Sequence, residues 1–143
     1  MKQLALEIST DADHWSDLAL SLDALDIGLS IAEQTPAPSN EIRWRAVGDR
    51  GLSNWKFATA QRPYEHAGDF GALFLLGIAM CDTSAVKVVG RLAQGKGLNN
   101  IAFAARWQTG DAWSAVDLLV DTEHVSEAGL LRGRMCRLAW ARR

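Results

Sequence analysis

Residues that usually carry chemistry are scarce in this chain. Its 143 residues include two cysteines, Cys81 and Cys136, far apart and outside any CxxC pair, so a disulfide framework or a zinc site has little to build on and two buried thiols are expected. Three histidines, His14, His66 and His124, stand singly, and no two are spaced to share a helix face as metal ligands. With the nucleophiles and bases unpaired along the sequence, no Ser-His-Asp or Cys-His arrangement can be assembled locally. Long apolar runs are missing too. Ala72 to Cys81, interrupted by Gly77, is too short to span a bilayer, and the opening MKQLALEIST has Glu7 within its apolar stretch and no small-residue cleavage site. A cytoplasmic protein with no membrane partner is expected.

What is present is ordinary globular material. At 48% hydrophobic and 22% charged residues, the composition suits a packed core, and the length suits a single domain over residues 1–143. The net charge is only −2, yet Glu7, Asp11, Asp13, Asp17, Asp23, Asp26 and Glu33 face only Lys2 in the first forty residues, whereas residues 128–143 hold arginines and no acid. The two ends are expected to neighbour and screen each other. No known module with base-stacking aromatics surrounds those arginines, so nucleic acid is disfavoured as a partner.

Alternation and turn residues predict an α+β fold: an antiparallel or mixed sheet built largely from two β-hairpins, with helices packed on one face. A strand over residues 3–9 leads to a helix capped by Thr10, with Trp15, Leu18, Ala19, Leu22 and Leu25 at helical spacing. Ile27, Leu29 and Ile31 alternate as a second strand before the loop Thr35-Pro36-Ala37-Pro38-Ser39-Asn40. The first hairpin spans Glu41 to Ala60 around Val47–Gly51. Ile42, Trp44 and Ala46 share one strand face, Trp55, Phe57 and Thr59 share a face of the partner strand, and Arg43, Arg45 and Lys56 on the other faces make a basic, aromatic-backed strip. Helices are expected over residues 68–80, then from the Asp82 cap to Gly95. The second hairpin, Ile101 to Val120, turns at Thr109-Gly110-Asp111 and carries Trp107 and Trp113. A last helix starts at Asp121-Thr122-Glu123. A pair of tryptophans on each hairpin hints at a pseudo-repeat.

One stretch has the form of a chemical motif. Gln94-Gly95-Lys96-Gly97-Leu98 resembles the acetyl-CoA pyrophosphate loop of the GNAT acetyltransferases, in which glycines let backbone N–H groups approach a pyrophosphate. The resemblance implies acetyl-CoA as cofactor and N-acetyl transfer as activity. Asn99 departs from it at the final position, and Tyr64 lies upstream, so the tyrosine such enzymes use near their C-terminus has no counterpart. That fold needs residues 85–93 extended and 98–108 helical; the hairpin reading needs residues 84–94 helical and 100–108 extended.

Asp117, Asp121, Glu123 and His124 are the best acid–base candidates, although each also suits a strand end or helix start. The preferred expectation is a non-enzymatic interaction module of adaptor, chaperone or immunity type, without cofactor or metal. It would bind a protein, peptide or small ligand through Trp44, Trp55, Arg43, Arg45, Lys56, Trp107 and Trp113, with a homodimer as one arrangement. Six tryptophans motivate it, since indoles are favoured at binding surfaces as well as in cores.

Overall fold

A computed structural model describes residues 14–34 and 40–140. Every element among them is an α-helix, so the expected α+β sheet is corrected at its root. In order they are α1 (residues 14–21), α2 (Leu25–Gln34), α3 (Asn40–Ser53), α4 (Phe57–Ala67), α5 (Phe70–Ala79), α6 (Thr83–Gly95), α7 (Asn99–Gln108), α8 (Ala112–Asp121) and α9 (Val125–Trp140). The chain divides into two compact units, Met1–Leu76 and Gly77–Arg143, with the division inside α5.

Both proposed hairpins are helical pairs. Glu41 to Ala60 belongs to α3 and α4, with Val47 to Gly51 in the middle of α3; Ile101 to Val120 belongs to α7 and α8. The proposed strand at Ile27, Leu29 and Ile31 is α2. The physical reason lies in which residues are buried. Between helices the closest packing is made by small side chains: Ala60, Ala102, Ala105 and Ala115 are at most 1% exposed. Ala102 and Ala105 recur at helical spacing, whereas among the bulky residues that alternated in the sequence Ile27, Ile42, Trp55, Trp107 and Trp113 are exposed and Leu29, Phe57, Ile101 and Phe103 are half-buried, which a two-residue period does not explain. The proposed first strand (residues 3–9), the Thr10 cap and residues 35–39 of the expected loop lie outside the described residues, and Asn40, expected to end that loop, begins α3.

Several expectations hold. α5 and α6 fall where helices were expected, and the Asp82 carboxylate caps α6 by accepting from the N–H groups of Ser84 and Ala85, both at 3.0 Å. The helix stop at Gly95 with its turn at Gly97 is also found, whereas Gly110, expected in a β-hairpin turn, closes the helix α7.

One device ends each helix whose closing turn is described. A residue two or three past the helix donates its N–H to a carbonyl five residues back, and the residue before it takes a positive φ, which is the Schellman arrangement. The bonds are Ala24 to Ala19, Lys56 to Gly51, Asp69 to Tyr64, Asp82 to Gly77, Leu98 to Ala93, Asp111 to Arg106 and His124 to Leu119. The left-handed residues are Asp23, Trp55, Gly68, Cys81, Gly97, Gly110 and Glu123. Trp55, Gly68 and Cys81 are evenly spaced in sequence, and Gly97, Gly110 and Glu123 repeat the same interval. A fixed helix-plus-turn length repeated along the chain is the mark of stacked helical hairpins.

Packing repeats as well. In the first unit, buried Trp44, Val47, Gly48 and Gly51 of α3 meet buried Ala60, Tyr64 and Ala67 of α4. A Cβ on Gly51 would lie 3.3 Å from Ala60 Cβ. Trp44 closes a core with Ala32 of α2 and Ala67, and Leu29 packs against it. In the second unit, Val86, Val89, Gly90 and Ala93 of α6 take the same spacing as the α3 residues and meet Ala102 and Ala105 of α7. A Cβ on Gly90 would come within 2.6 Å of Ala105 Cβ, so glycine is what lets these two helices approach.

Candidate protein-interaction surface

Packing on small residues leaves bulky ones outside. Trp55 is 80% exposed, Trp15 64%, Trp113 53% and Trp107 44%, while Trp44 is 3% exposed. Trp55 occupies the left-handed position of the α3–α4 turn with φ of 59°, which is uncommon for a bulky side chain, and meets Phe57 edge-on at 5.9 Å. Exposed Leu52 precedes it on α3, and Lys56, also exposed, follows at the N-cap of α4. Trp107 and Trp113 flank the α7–α8 turn, and the Trp107 ring stacks on Phe103 at 6.1 Å.

The basic strip inferred from alternation is not one face. A rotation of about 100° per residue carries Arg43 and Trp44 inward and Arg45 outward. Arg43 is buried; Trp44 is buried and stacks on the His66 ring at 4.5 Å. Arg45 reaches Asp69 Oδ2 at 2.9 Å and Glu41 Oε1 at 3.5 Å. Of the expected surface residues, Trp55 and Lys56 are brought together at the α3–α4 turn, and Trp107 and Trp113 stand on either side of the α7–α8 turn.

The residues of the acetyltransferase-like loop are occupied differently. Residues 85–93 are helical, so the strand that would precede such a loop is replaced by α6. Lys96 donates its N–H to Leu92 and Ala93, Gly97 to Gln94, and Leu98 to Ala93, which leaves these three amides committed to closing α6. Gly95 is the last residue of α6, and Asn99 begins α7. The Gln94 side chain accepts from Arg106 Nη2 at 2.6 Å, and Arg106 Nη1 donates to the Ser114 carbonyl, also at 2.6 Å. Arg106 thereby ties the end of α6 and the start of α8 to α7.

The acid–base candidates do not converge. Asp117 and Asp121 are exposed on α8, Glu123 is the left-handed residue of the next turn, and His124 Nδ1 lies 2.8 Å from the Thr122 carbonyl. Beyond them, the Ser126 hydroxyl lowers the pKa of Glu127. Cys81 and Cys136 are both exposed, which corrects the expectation of buried thiols. Among the described residues, no three His, Cys, Asp or Glu side chains are grouped to hold a metal ion, and no helix is long and apolar enough to cross a membrane. An open groove of about 380 Å³ runs along Leu20, Ser21, Ala46, Asp49, Arg50 and Ser53. Beside it, Asp23 in the α1–α2 turn accepts from Arg50 Nε at 2.6 Å and Asn54 Nδ2 at 2.9 Å.

Repeated hairpins, closed by small residues and carrying Trp44-x2-Val47-Gly48 and Ala60-x3-Tyr64 on successive helices, define the tetratricopeptide class of helical repeat. The chain belongs to the COPA/B TPR domain family, whose profile matches residues 1–136. It is 34% identical over 135 residues to the probable coatomer subunit beta' of Schizosaccharomyces pombe, covering 94% of this chain and 17% of that protein. Over 130 residues it is 34% identical to the coatomer subunit beta' of Rattus norvegicus, covering 91% of this chain and 14% of that protein. The coatomer subunit beta'-3 of Arabidopsis thaliana is likewise 34% identical over 127 residues, with coverages of 89% and 14%. The chain thus spans less than a fifth of the length of these relatives.

Proposed function

We propose that this chain is a non-enzymatic, protein-binding segment of a coatomer-type coat subunit, acting at the cytoplasmic side of that assembly. Its partners would be other subunits of the coat. The observation that carries this reading is the exposure of large aromatic side chains: Trp15, Trp55, Trp107 and Trp113 stand in solvent, although Trp44 and Tyr64 show that the helix interfaces accept large rings. An indole held in solvent supplies a large, stiff contact area with little rotamer entropy to lose on binding. Within each unit, packed helices hold such anchors on well-ordered elements.

Isothermal titration of the folded chain against the individually purified subunits of a coatomer tests the reading. Binding to at least one subunit, weakened about tenfold by Trp55→Ala with the helical circular dichroism unchanged, is expected. Absence of heat with every subunit at concentrations of about 100 µM would remove it.

A further inference from the structure

The outward face of α6 combines two features that the core does not use. Lys87, Val88, Arg91 and Leu92 lie on successive turns and form one exposed strip, with Val88 at 44% and Leu92 at 54% exposure. The opposite stripe of the same helix, Val86, Val89, Gly90 and Ala93, is the buried one. Lys87 and Arg91 make no ion pair or hydrogen bond among the described residues, whereas Arg45, Arg50 and Arg62 of the first unit each reach a carboxylate. Residues 83–95 include no acid, and the carboxylate at the helix start, Asp82, is committed to the N–H groups of Ser84 and Ala85. Beyond Leu92, a Cβ on Gly95 would meet nothing within 4 Å, so the strip is open at that end.

We infer that the α6 strip is a docking site for an acidic amphipathic segment of a partner protein. Aliphatic side chains of that segment cover Val88 and Leu92 while its carboxylates pair with Lys87 and Arg91. Charge complementarity selects the occupant: a neutral apolar segment would leave both cations without partners, and a basic one would be repelled. Two cations on a short strip of aliphatic residues are also less than stable membrane attachment needs, which favours a protein partner over an anionic lipid surface. The inference rests on the protein-binding reading above and specifies one surface and one partner chemistry within it.

Fluorescence anisotropy with the whole chain provides the test, using a labelled peptide of three Glu-Leu-Ala-Glu repeats and its Gln-Leu-Ala-Gln and Lys-Leu-Ala-Lys counterparts. The acidic peptide is expected to bind, the glutamine peptide about tenfold more weakly, and added salt to weaken the acidic complex. The double variant Lys87→Glu, Arg91→Glu should keep its helical circular dichroism, lose the acidic peptide and take up the lysine peptide instead. Equal affinity for the acidic and glutamine peptides, or an unaffected double variant, overturns the proposal. So does charge-dependent binding of the wild type to vesicles of about 30% phosphatidylserine without peptide binding, which would give the strip to a membrane. Titration against coat subunits in parallel separates the two failures. If subunit binding persists while the peptide result fails, only the α6 assignment falls; if both vanish, the protein-binding reading falls with it.

Discussion

The ring of Tyr64 occupies the space into which a side chain on Gly48 would grow: a Cβ there would lie 2.7 Å from Cε1 and 2.9 Å from Cζ. The ring has no easy escape, because its residue is 1% exposed and its hydroxyl donates to Asp49 Oδ1 at 2.7 Å. Gly48→Ala should therefore destabilise the chain by about 1–3 kcal/mol, the usual cost of overpacking. Gly129→Ala is the control, since Gly129 is an exposed helical glycine with nothing within 4 Å of its Cβ. It should stabilise by about 0.5–1 kcal/mol through the unfolded chain. Urea denaturation of both variants checks the opposite signs.

Tyr64 is also the chain's single tyrosine, which makes its ionisation readable in isolation. Burial, first, and then the hydrogen bond to Asp49 push its pKa well above the ordinary value of 10.0. A raised folded-state pKa contributes stability that is fully present below the unfolded value and is lost as pH rises through the folded one. In alkaline titration, tyrosinate absorbance should lag behind that of a model tyrosine and emerge together with loss of helical signal. Tyr64→Phe should remove about 1 kcal/mol at neutral pH, the net worth of one hydrogen bond whose acceptor can return to water. Early, reversible tyrosinate formation in the folded chain would contradict the buried hydroxyl.

The turn between α1 and α2 should respond to acid. Hydrogen bonds from Asn54, first, and Arg50 hold the Asp23 carboxyl below its usual range. A lowered folded-state pKa gives stability that is present above the unfolded value and lost as pH falls through the folded one. Asp23→Asn keeps a side chain that tolerates the positive φ of this position but removes the charge. The variant should be less stable than wild type at neutral pH, and the two denaturation curves should converge in acid. A constant difference between them down to low pH would show that the ion pair with Arg50 contributes nothing.

Local signals were legible where one residue type has one structural meaning. Asp82 as a cap, Gly95 as a helix end and the positive-φ positions Gly97 and Gly110 were all readable, because capping and left-handed backbone depend on few neighbours. The fold class was not, and Ile101-Ala-Phe-Ala-Ala-Arg-Trp107 shows why. Its large residues alternate, but its buried positions are Ala102 and Ala105, which follow a helical interval. Weighting hydrophobicity by bulk selects Ile101, Phe103 and Trp107, which are half-buried or exposed, and hides the fully packed alanine face. The even spacing of Gly97 and Gly110, with Glu123 as the next member, was the signal that could have revealed helical repeats. It was masked because four of the seven left-handed positions among the described residues hold residues other than glycine. Of the residues singled out from the sequence, Trp55 and Lys56 are exposed at one turn, whereas Arg43 and Trp44 are buried, because a strand period of two was assumed where the chain is helical.

Trp55 offers a way to separate folding from binding. A bulky residue in the left-handed region costs roughly 1–2 kcal/mol, which Trp55→Gly would relieve. Set against this are the edge contact with Phe57, worth about 0.5–1.5 kcal/mol, and the added freedom of glycine in the unfolded chain, about 0.5–1 kcal/mol. The opposing contributions nearly cancel, so Trp55→Gly should leave stability within about 1 kcal/mol of wild type. At 80% exposure the indole buries too little surface in the free chain to change that balance. Affinity for a coat subunit, by contrast, should fall by about tenfold or more, since the variant deletes an anchor and loosens the turn that presents it. Equilibrium denaturation and titration on the same preparation decide the matter. Equal losses of stability and affinity would make Trp55 a structural residue of the α3–α4 turn, and a loss of affinity alone makes it a contact.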